Sequence, residues 1–368
     1  MKLTFKNDTF KILQIADTQE GHKVSPDTLA LINAALDREE PDLVVYSGDQ
    51  IWGRGFHGDV NQVRRVLKEL TAPVVERHLP FAICFGNHDR QVGISNADQF
   101  NDIYKSLPGC IGEQAEGIPG GGTYAVPLTA SDGSGRTVMN LYLFDTGTDA
   151  KGGGYEAFDP AIIDWYRRTR DALKAETGHY VPSLVFQHIP MPEYYHVLRR
   201  VKKSEKGAIQ AFRTHKNEFY KLGDTCRPGD MLEEPPSIPD INNGEFDALH
   251  EKGDILGVFV GHDHKNSFVG RYKDMDLGFT QSAGFNVYGN RTKRGVRCFV
   301  LHEDDPTHYD TYTRTYEELV GTKVHRPVFD YLSSKAPATM DAAIPMIVKT
   351  VVGLAVIVAL IILLAKLL

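Results

Sequence analysis

Five short apolar runs in this chain each end on residues able to hold a metal ion, and few folds can bring five such ends together. The runs are KILQIAD, ending at Asp17 with Gln19 two residues on, and DLVVYSGD, ending at Asp49. PFAICFGNHD ends in Asn87, His88 and Asp89, SLVFQH at His188, and ILGVFVGHDH in His262 and His264. Apolar runs of this length, stopped by glycine and polar residues, read as buried strands. After the first run, Ser25-Pro26 reads as an N-cap and first helical residue, followed by Leu29, Ile32 and Leu36 at helical spacing. That helix should stop before Pro41, where the second run begins. Strand–helix–strand order predicts an α/β sheet, and in such sheets sites gather at the carboxyl ends of strands. The runs MNLYLFDTG and VRCFVLHE extend the same architecture.

Taken singly, each ending has an ordinary structural account: an Asp after a strand forms turns, and a lone His188 suits a polar core position. Five in succession do not fit that account. Carboxylate, amide oxygen and imidazole donors without thiolate favour Mn, Fe or Zn. One carboxylate can bridge two ions about 3.5–4 Å apart, a separation used for in-line displacement at phosphorus. His88 sits beside a candidate ligand without needing to bind metal, so it can protonate the leaving oxygen or stabilise charge there. His262 and His264 are two apart, which turns them the same way in extended chain.

The order Asp-x-Gln, Gly-Asp, Gly-Asn-His-Asp, His and Gly-His-x-His resembles the calcineurin-like metallophosphoesterase family, from roughly Phe10 to Glu303. FQHIPMPEYY, INNGEF, FVGHDHKNSF and SAGFNVYG look like the branch of plant and fungal purple-acid-phosphatase-like single-domain proteins. The resemblance implies a four-layer α/β sandwich, two facing mixed sheets flanked by helices. It assigns Asp17, Gln19, Asp49 and His264 to one metal, with Asp49 bridging. Asn87, His188 and His262 complete the other, and His88 is the catalytic histidine. Two residues depart from the family pattern. Many relatives carry His where this chain has Gln19, a weaker ligand, so the first site is either looser or uses His22 instead. Purple acid phosphatases have a metal-binding Tyr where this chain has Trp52, so an Fe(III)–tyrosinate centre is not expected. Asp89 and Arg90 have either a supporting or substrate role at the site, or a purely structural one in the loop.

The 368 residues carry a formal net charge of -7, so no basic field points to a nucleic-acid partner. The N-terminal MKLTFKNDTFKILQIADT has no continuous apolar stretch, and a secretory signal is not expected. The four cysteines form no CxxC pair and read as buried free thiols rather than disulfides. About Pro192 to Asp240 breaks the strand rhythm as an insertion rich in Lys and Arg from Arg199 to Lys221, either a solvated helical face or a surface meeting phosphates or anionic lipid. Val351 to Ala365 is apolar throughout, flanked by Lys349 and Lys366. The 25 residues from Ile344 to Leu368 would make a helix of about 37 Å, long enough to cross a bilayer. The expected organisation is therefore a catalytic domain over residues 1–332, a linker over 333–343 and a membrane anchor over 344–368. The whole reads as a metal-dependent phosphate-ester hydrolase, tail-anchored with its catalytic domain on the cytoplasmic side. The alternative is a membrane-tethered binding or scaffold protein with a vestigial site.

Overall fold

The computed structural model describes residues 3–337 together with helical positions 343–344, 347–348, 351–353 and 356. In chain order the strands are β1 (Leu3–Thr4), β2 (Thr9–Ile15), β3 (Leu43–Ser47), β4 (Phe81–Cys84), β5 (Tyr124–Thr129), β6 (Thr137–Leu143) and β7 (Ser183–Phe186). There follow β8 (Leu198–Arg200), β9 (Ile209–Gln210), β10 (Phe219–Leu222), β11 (Ile255–Val260), β12 (Phe268–Tyr272), β13 (Met275–Phe279), β14 (Gly295–His302) and β15 (Tyr309–Thr315). One sheet has five strands in the order β15-β14-β2-β3-β4, the other seven in the order β1-β5-β6-β7-β11-β13-β12. Each has a parallel centre, β2–β3–β4 in the first and β6–β7–β11–β13 in the second, with antiparallel strands outside it. All five runs that end on candidate ligands fall in these parallel centres, so their carboxyl ends point the same way within each sheet.

The sheets meet face to face. Phe299 of β14 packs its ring against Phe186 of β7 and Phe259 of β11, with centroids 5.3 and 4.6 Å apart. The period of two along β6 shows how the layers separate. Met139, Leu141 and Leu143 point into the space between the sheets, while Tyr142 and the following Phe144 point outward. Outside the seven-stranded sheet, Ile162 and Tyr166 of the helix Pro160–Thr177 cover that outer face. Outside the five-stranded sheet lie the helices Pro26–Glu39 and Val60–Glu76, through Leu31, Ile32, Leu36, Val66 and Leu70. The first of these begins as read: the Ser25 hydroxyl accepts from the Asp27 and Thr28 amides, and Pro26 occupies the first turn.

The insertion differs from its helical reading. It opens with a short 3-10 turn, Pro192–Val197, and then pairs β8 and β9 on either side of β10 in a small antiparallel sheet. Four of its cations pair with acids within reach: Arg199 and Lys221 with Glu205, Arg200 with Glu218, and Arg213 with Asp240. Cys84 and Cys298 are buried, while Cys110 and Cys226 are only half-buried.

The last continuously described helix is Pro327–Ser334. It turns Asp330 inward to Arg291 and leaves Val328, Tyr331 and Leu332 exposed. The Lys265 ammonium donates to the Ser334 and Ala336 carbonyls at its end. Among the described residues no helix is long and apolar enough to cross a membrane. Most of the anchor expected over 344–368 lies outside the described residues.

Candidate metal centre

The ends of β2, β3 and β4 in one sheet and of β7 and β11 in the other meet along the seam between the sheets. Backbone and side chain tie the two sides together there. The His188 Nδ1–H donates to the Ser47 carbonyl across the seam at 3.0 Å, and the His262 amide donates to Asp17 Oδ2 at 2.9 Å. The Ser47 contact places a hydrogen on His188 Nδ1 and turns Nε2 into the site, 3.3 Å from Asp49 Oδ2 and 3.2 Å from His262 Nδ1. His264 is held in the same manner, Nδ1–H to the Tyr288 carbonyl at 2.9 Å, which leaves Nε2 3.3 Å from Asp17 Oδ1. Its ring also stacks on Tyr288, whose hydroxyl donates to the buried carboxylate of Glu234.

Close approach at two glycines makes this packing possible. A side chain on Gly86 would begin 2.1 Å from Asp49 Oδ1, and one on Gly48, at φ +97°, 2.4 Å from His188 Nδ1. Four site residues themselves have left-handed backbone: Asp17 (φ 52°), Gln19 (φ 39°), Asp49 (φ 53°) and His262 (φ 73°). Asp89 explains how the loop after β3 holds this shape. Its carboxylate accepts the amides of Gly86, Asp49 and Ile51, lacing two loops together. Of its two readings, the structural one is what the contacts display. Arg90 is exposed and lines a cavity of about 440 Å³ with Gly120, Asp145, Gly147 and Glu156.

Asp17, Asp49 and His188 place one donor atom each within 4.8 Å of one another, all fully buried. Three buried atoms around them carry no hydrogen bond: Asp17 Oδ1, Asn87 Oδ1 and His262 Nε2. Such orphans are costly unless something positively charged meets them. Asn87 is oriented for this, since its Nδ2 donates to Asp149 Oδ1 and its carbonyl accepts from the Thr148 hydroxyl. His88 stands at the mouth, part-exposed, with Nδ1 bonded to Gln91 and Nε2 4.0 Å from Asp49 Oδ2. Its backbone N–H, rather than its ring, is the group bound to Asp49.

Electrostatics agree with the donor geometry. Burial pushes the Asp49 carboxyl up, but the imidazoles of His188 and His88 more than offset this and hold it well below the usual range. Burial opposes charge on His188, yet Asp49 and Asp17 draw it up to about 10. Burial and the neighbouring charge of His188 push His262 well below its ordinary value. A charged His188 thus stands beside these carboxylates as their counter-charge. Metal ions would neutralise the same carboxylates and leave the imidazoles neutral as ligands. The residues present fit a metal centre of nitrogen and oxygen donors.

Two expected ligands need correction or detail. His22 does not reach the centre: it is exposed, stacks on Phe56 and bonds to Gln62 on the helix Val60–Glu76. Gln19 does reach it, but its Nε2 donates to Asp49 Oδ2 at 2.7 Å. Turned over, the amide would set oxygen against oxygen at that distance. Trp52 is exposed, with the Arg54 guanidinium over its ring. Several contributors went unread in the sequence. Asp149 and Thr148 orient Asn87, Tyr155 sets its ring against His262 and stacks on Phe212 of the insertion, and Tyr288 and Glu234 back His264. The glycine-rich stretch after β6 marked a loop at this end, whereas nothing near Glu234 signals a role.

The family described as calcineurin-like phosphoesterase matches residues 10–266. Among curated proteins, "Probable inactive purple acid phosphatase 29" of Arabidopsis thaliana is 28% identical over 323 residues, covering 78% of this chain and 75% of that protein. Phosphatase DCR2 of Saccharomyces cerevisiae is 27% identical, covering 70% of this chain and 44% of its own length. Among solved structures, a dimetal phosphatase from Danio rerio superposes with a TM-score of 0.50 at 12% identity, covering 83% of this chain and 99% of that one. That likeness establishes the two-sheet fold.

Proposed function

Because the chain belongs to the calcineurin-like phosphoesterase family, we propose that it hydrolyses a phosphate ester at a two-ion centre on the seam between its sheets. The observation that carries this reading is the set of buried donor atoms, Asp17 Oδ1, Asn87 Oδ1 and His262 Nε2, left without hydrogen bonds around Asp49. Asp17, His264 and Asp49 would hold one ion and Asn87, His188, His262 and Asp49 the other, with Gln19 either joining the first or fixing Asp49. When bound, Mn, Fe or Zn ions in such a centre supply a nucleophilic water at neutral pH and offset charge on phosphorus. His88 does the work of the chain's own residues at the mouth. It is part-exposed, held by Gln91, and free to pass a proton from its imidazole to the leaving oxygen. Arg90 faces the adjoining cavity as a cation for substrate phosphate.

A second reading is favoured by two facts: the plant relative carries "inactive" in its name, and Gln19 donates to Asp49 instead of presenting an oxygen. In that reading the site binds a phosphate group without turning it over. One experiment separates them: bound metal and steady-state hydrolysis of an aryl phosphate for the full chain, Asp49→Asn and His88→Ala. Catalysis at this centre requires Asp49→Asn to lose both metal and activity, and His88→Ala to keep metal and lose turnover about 10²-fold or more. Metal without hydrolysis of mono- or diesters in the unaltered protein selects the binding role.

The tether forms part of the proposal. The proposed anchor 344–368 follows a helix whose Val328, Tyr331 and Leu332 are already exposed, with Arg326 and Lys335 beside them. We expect the full chain to resist carbonate and high-salt extraction from membranes. Release by either alone rules out a spanning anchor.

A further inference from the structure

At the end of β14 farthest from the metal centre, two imidazoles and a carboxylate converge, and nothing in the proposed function uses them. β14 pairs with β15 in antiparallel register through Leu301 and Tyr309, so His302 and His308 face each other one step further out. Their rings stack with centroids 5.5 Å apart and planes 20° from parallel. Asp310 follows His308 by two residues and therefore lies on the same face of the hairpin. His302 Nε2 lies 3.0 Å from Asp310 Oδ2 and His308 Nε2 lies 3.7 Å from Asp310 Oδ1. The three donors are all within 4.8 Å of one another.

We infer that His302, His308 and Asp310 form a separate binding site for a transition-metal dication, of the Zn²⁺, Cu²⁺ or Ni²⁺ class. Metal bonds of about 2.0–2.2 Å at tetrahedral angles set neighbouring donors roughly 3.4 Å apart, and the separations of 3.0 Å to Asp310 Oδ2 and 3.7 Å to Oδ1 need only a small turn of the carboxylate to match it. Two nitrogens and one carboxylate oxygen select these ions over Mg²⁺ or Ca²⁺. An ordinary ion pair accounts for the cluster less fully. Charging both imidazoles would place two like charges around a single carboxylate, whereas one dication engages all three groups while the rings stay neutral.

The turn that presents the site is fixed independently of any ion. The Asp305 carboxylate accepts from the Thr307 amide and hydroxyl, the Asp305 carbonyl accepts the His308 amide, and Glu303 accepts the Ser131 amide. The side chains are 26%, 62% and 57% exposed for His302, His308 and Asp310, so an ion there keeps water in its remaining positions and exchanges readily. The site is remote from the catalytic seam. His302 pairs with Thr9 at the start of β2, and Asp17 lies eight residues on, roughly 26 Å along the strand.

The test titrates Zn²⁺ by calorimetry into the full chain with its centre already loaded, beside His302→Ala/His308→Ala and Asp310→Asn. The unaltered protein should take up one further equivalent at micromolar free Zn²⁺, weakened at least about tenfold in each variant. Ester hydrolysis and melting without added Zn²⁺ should be the same in all three, which shows the variants fold. Cu²⁺ in place of Zn²⁺ should give a paramagnetic resonance spectrum split by two nitrogens, absent from the double variant. Equal uptake by the variants, or no further equivalent in the unaltered protein, overturns the assignment.

Discussion

Left-handed backbone at Asp17, Gln19, Asp49 and His262 costs on the order of 1 kcal/mol per residue. Each is held there by more than one bond, as when the Gln19 amide donates to the Asp49 carbonyl while its side chain donates to the Asp49 carboxylate. The side-chain bond makes Gln19 the residue whose replacement is most informative. A histidine there would present a ring nitrogen in place of an amide that donates to the Asp49 carboxylate. We expect Gln19→His to tighten binding of Zn²⁺ or Mn²⁺ to stripped protein by about tenfold or more, without a matching gain in turnover. Identical titrations would confine Gln19 to orienting Asp49. The identity of these residues was legible because each stands where an apolar run stops. What the sequence could not convey is direction. Whether an amide offers oxygen or nitrogen depends on a partner 30 residues away, and whether His22 turns inward depends on Phe56 in a later loop and Gln62 of the helix after it.

Elements transmit constraints to the seam without touching it. The helix Pro160–Thr177 is bound to the start of β11 by the Tyr166 hydroxyl, which donates to Asp254 Oδ2 at 2.8 Å. Burial raises the Asp254 carboxyl from 3.8 to about 6, against the pull of that bond and of Arg170. The folded chain therefore holds this proton more tightly than the unfolded one. Its contribution to stability is complete below about pH 4, declines as pH rises through 4 to 6, and is absent above. Asp254→Asn keeps an acceptor for Tyr166 and removes the charge. It should melt higher than the unaltered protein at pH 7–8, by on the order of 1–2 kcal/mol, and equally at pH 4. A gain that does not vary with pH would place the effect elsewhere. Strands like β7 and β11 were readable because both faces are buried and the apolar run is unbroken. In the insertion the helical alternative fails and the strands were not legible, because β8, β9 and β10 are only two to four residues long and largely part-buried or exposed. At that length charge, rather than apolar alternation, dominates the pattern.

For the molecule as a whole, the seam is held by Phe299 against Phe186 and Phe259 and by side chains that cross between the sheets at the centre. Ions bound there would fasten one sheet to the other. Removing them should lower the melting temperature: binding at 100 times Kd adds about 2.7 kcal/mol per ion, worth roughly 3–4 °C in a chain of this size. Calorimetry with and without chelator measures this, and Asp49→Asn should show no chelator effect. An equal melting point for stripped and loaded protein would mean the ions do not join the sheets. The division of the centre between the sheets also sets a timetable during synthesis. Asp17 precedes His262 by 245 residues, about 10–50 s of translation. Everything the earlier strands offer, from Asp17 through Gln19 and Asp49 to Asn87, can present oxygen, a set that holds hard ions such as Mg²⁺ or Mn²⁺ loosely. The imidazoles that discriminate in favour of softer ions emerge last. A metal held by the full donor set could therefore be selected only after His264 leaves the ribosome, from the ions available where the chain then is.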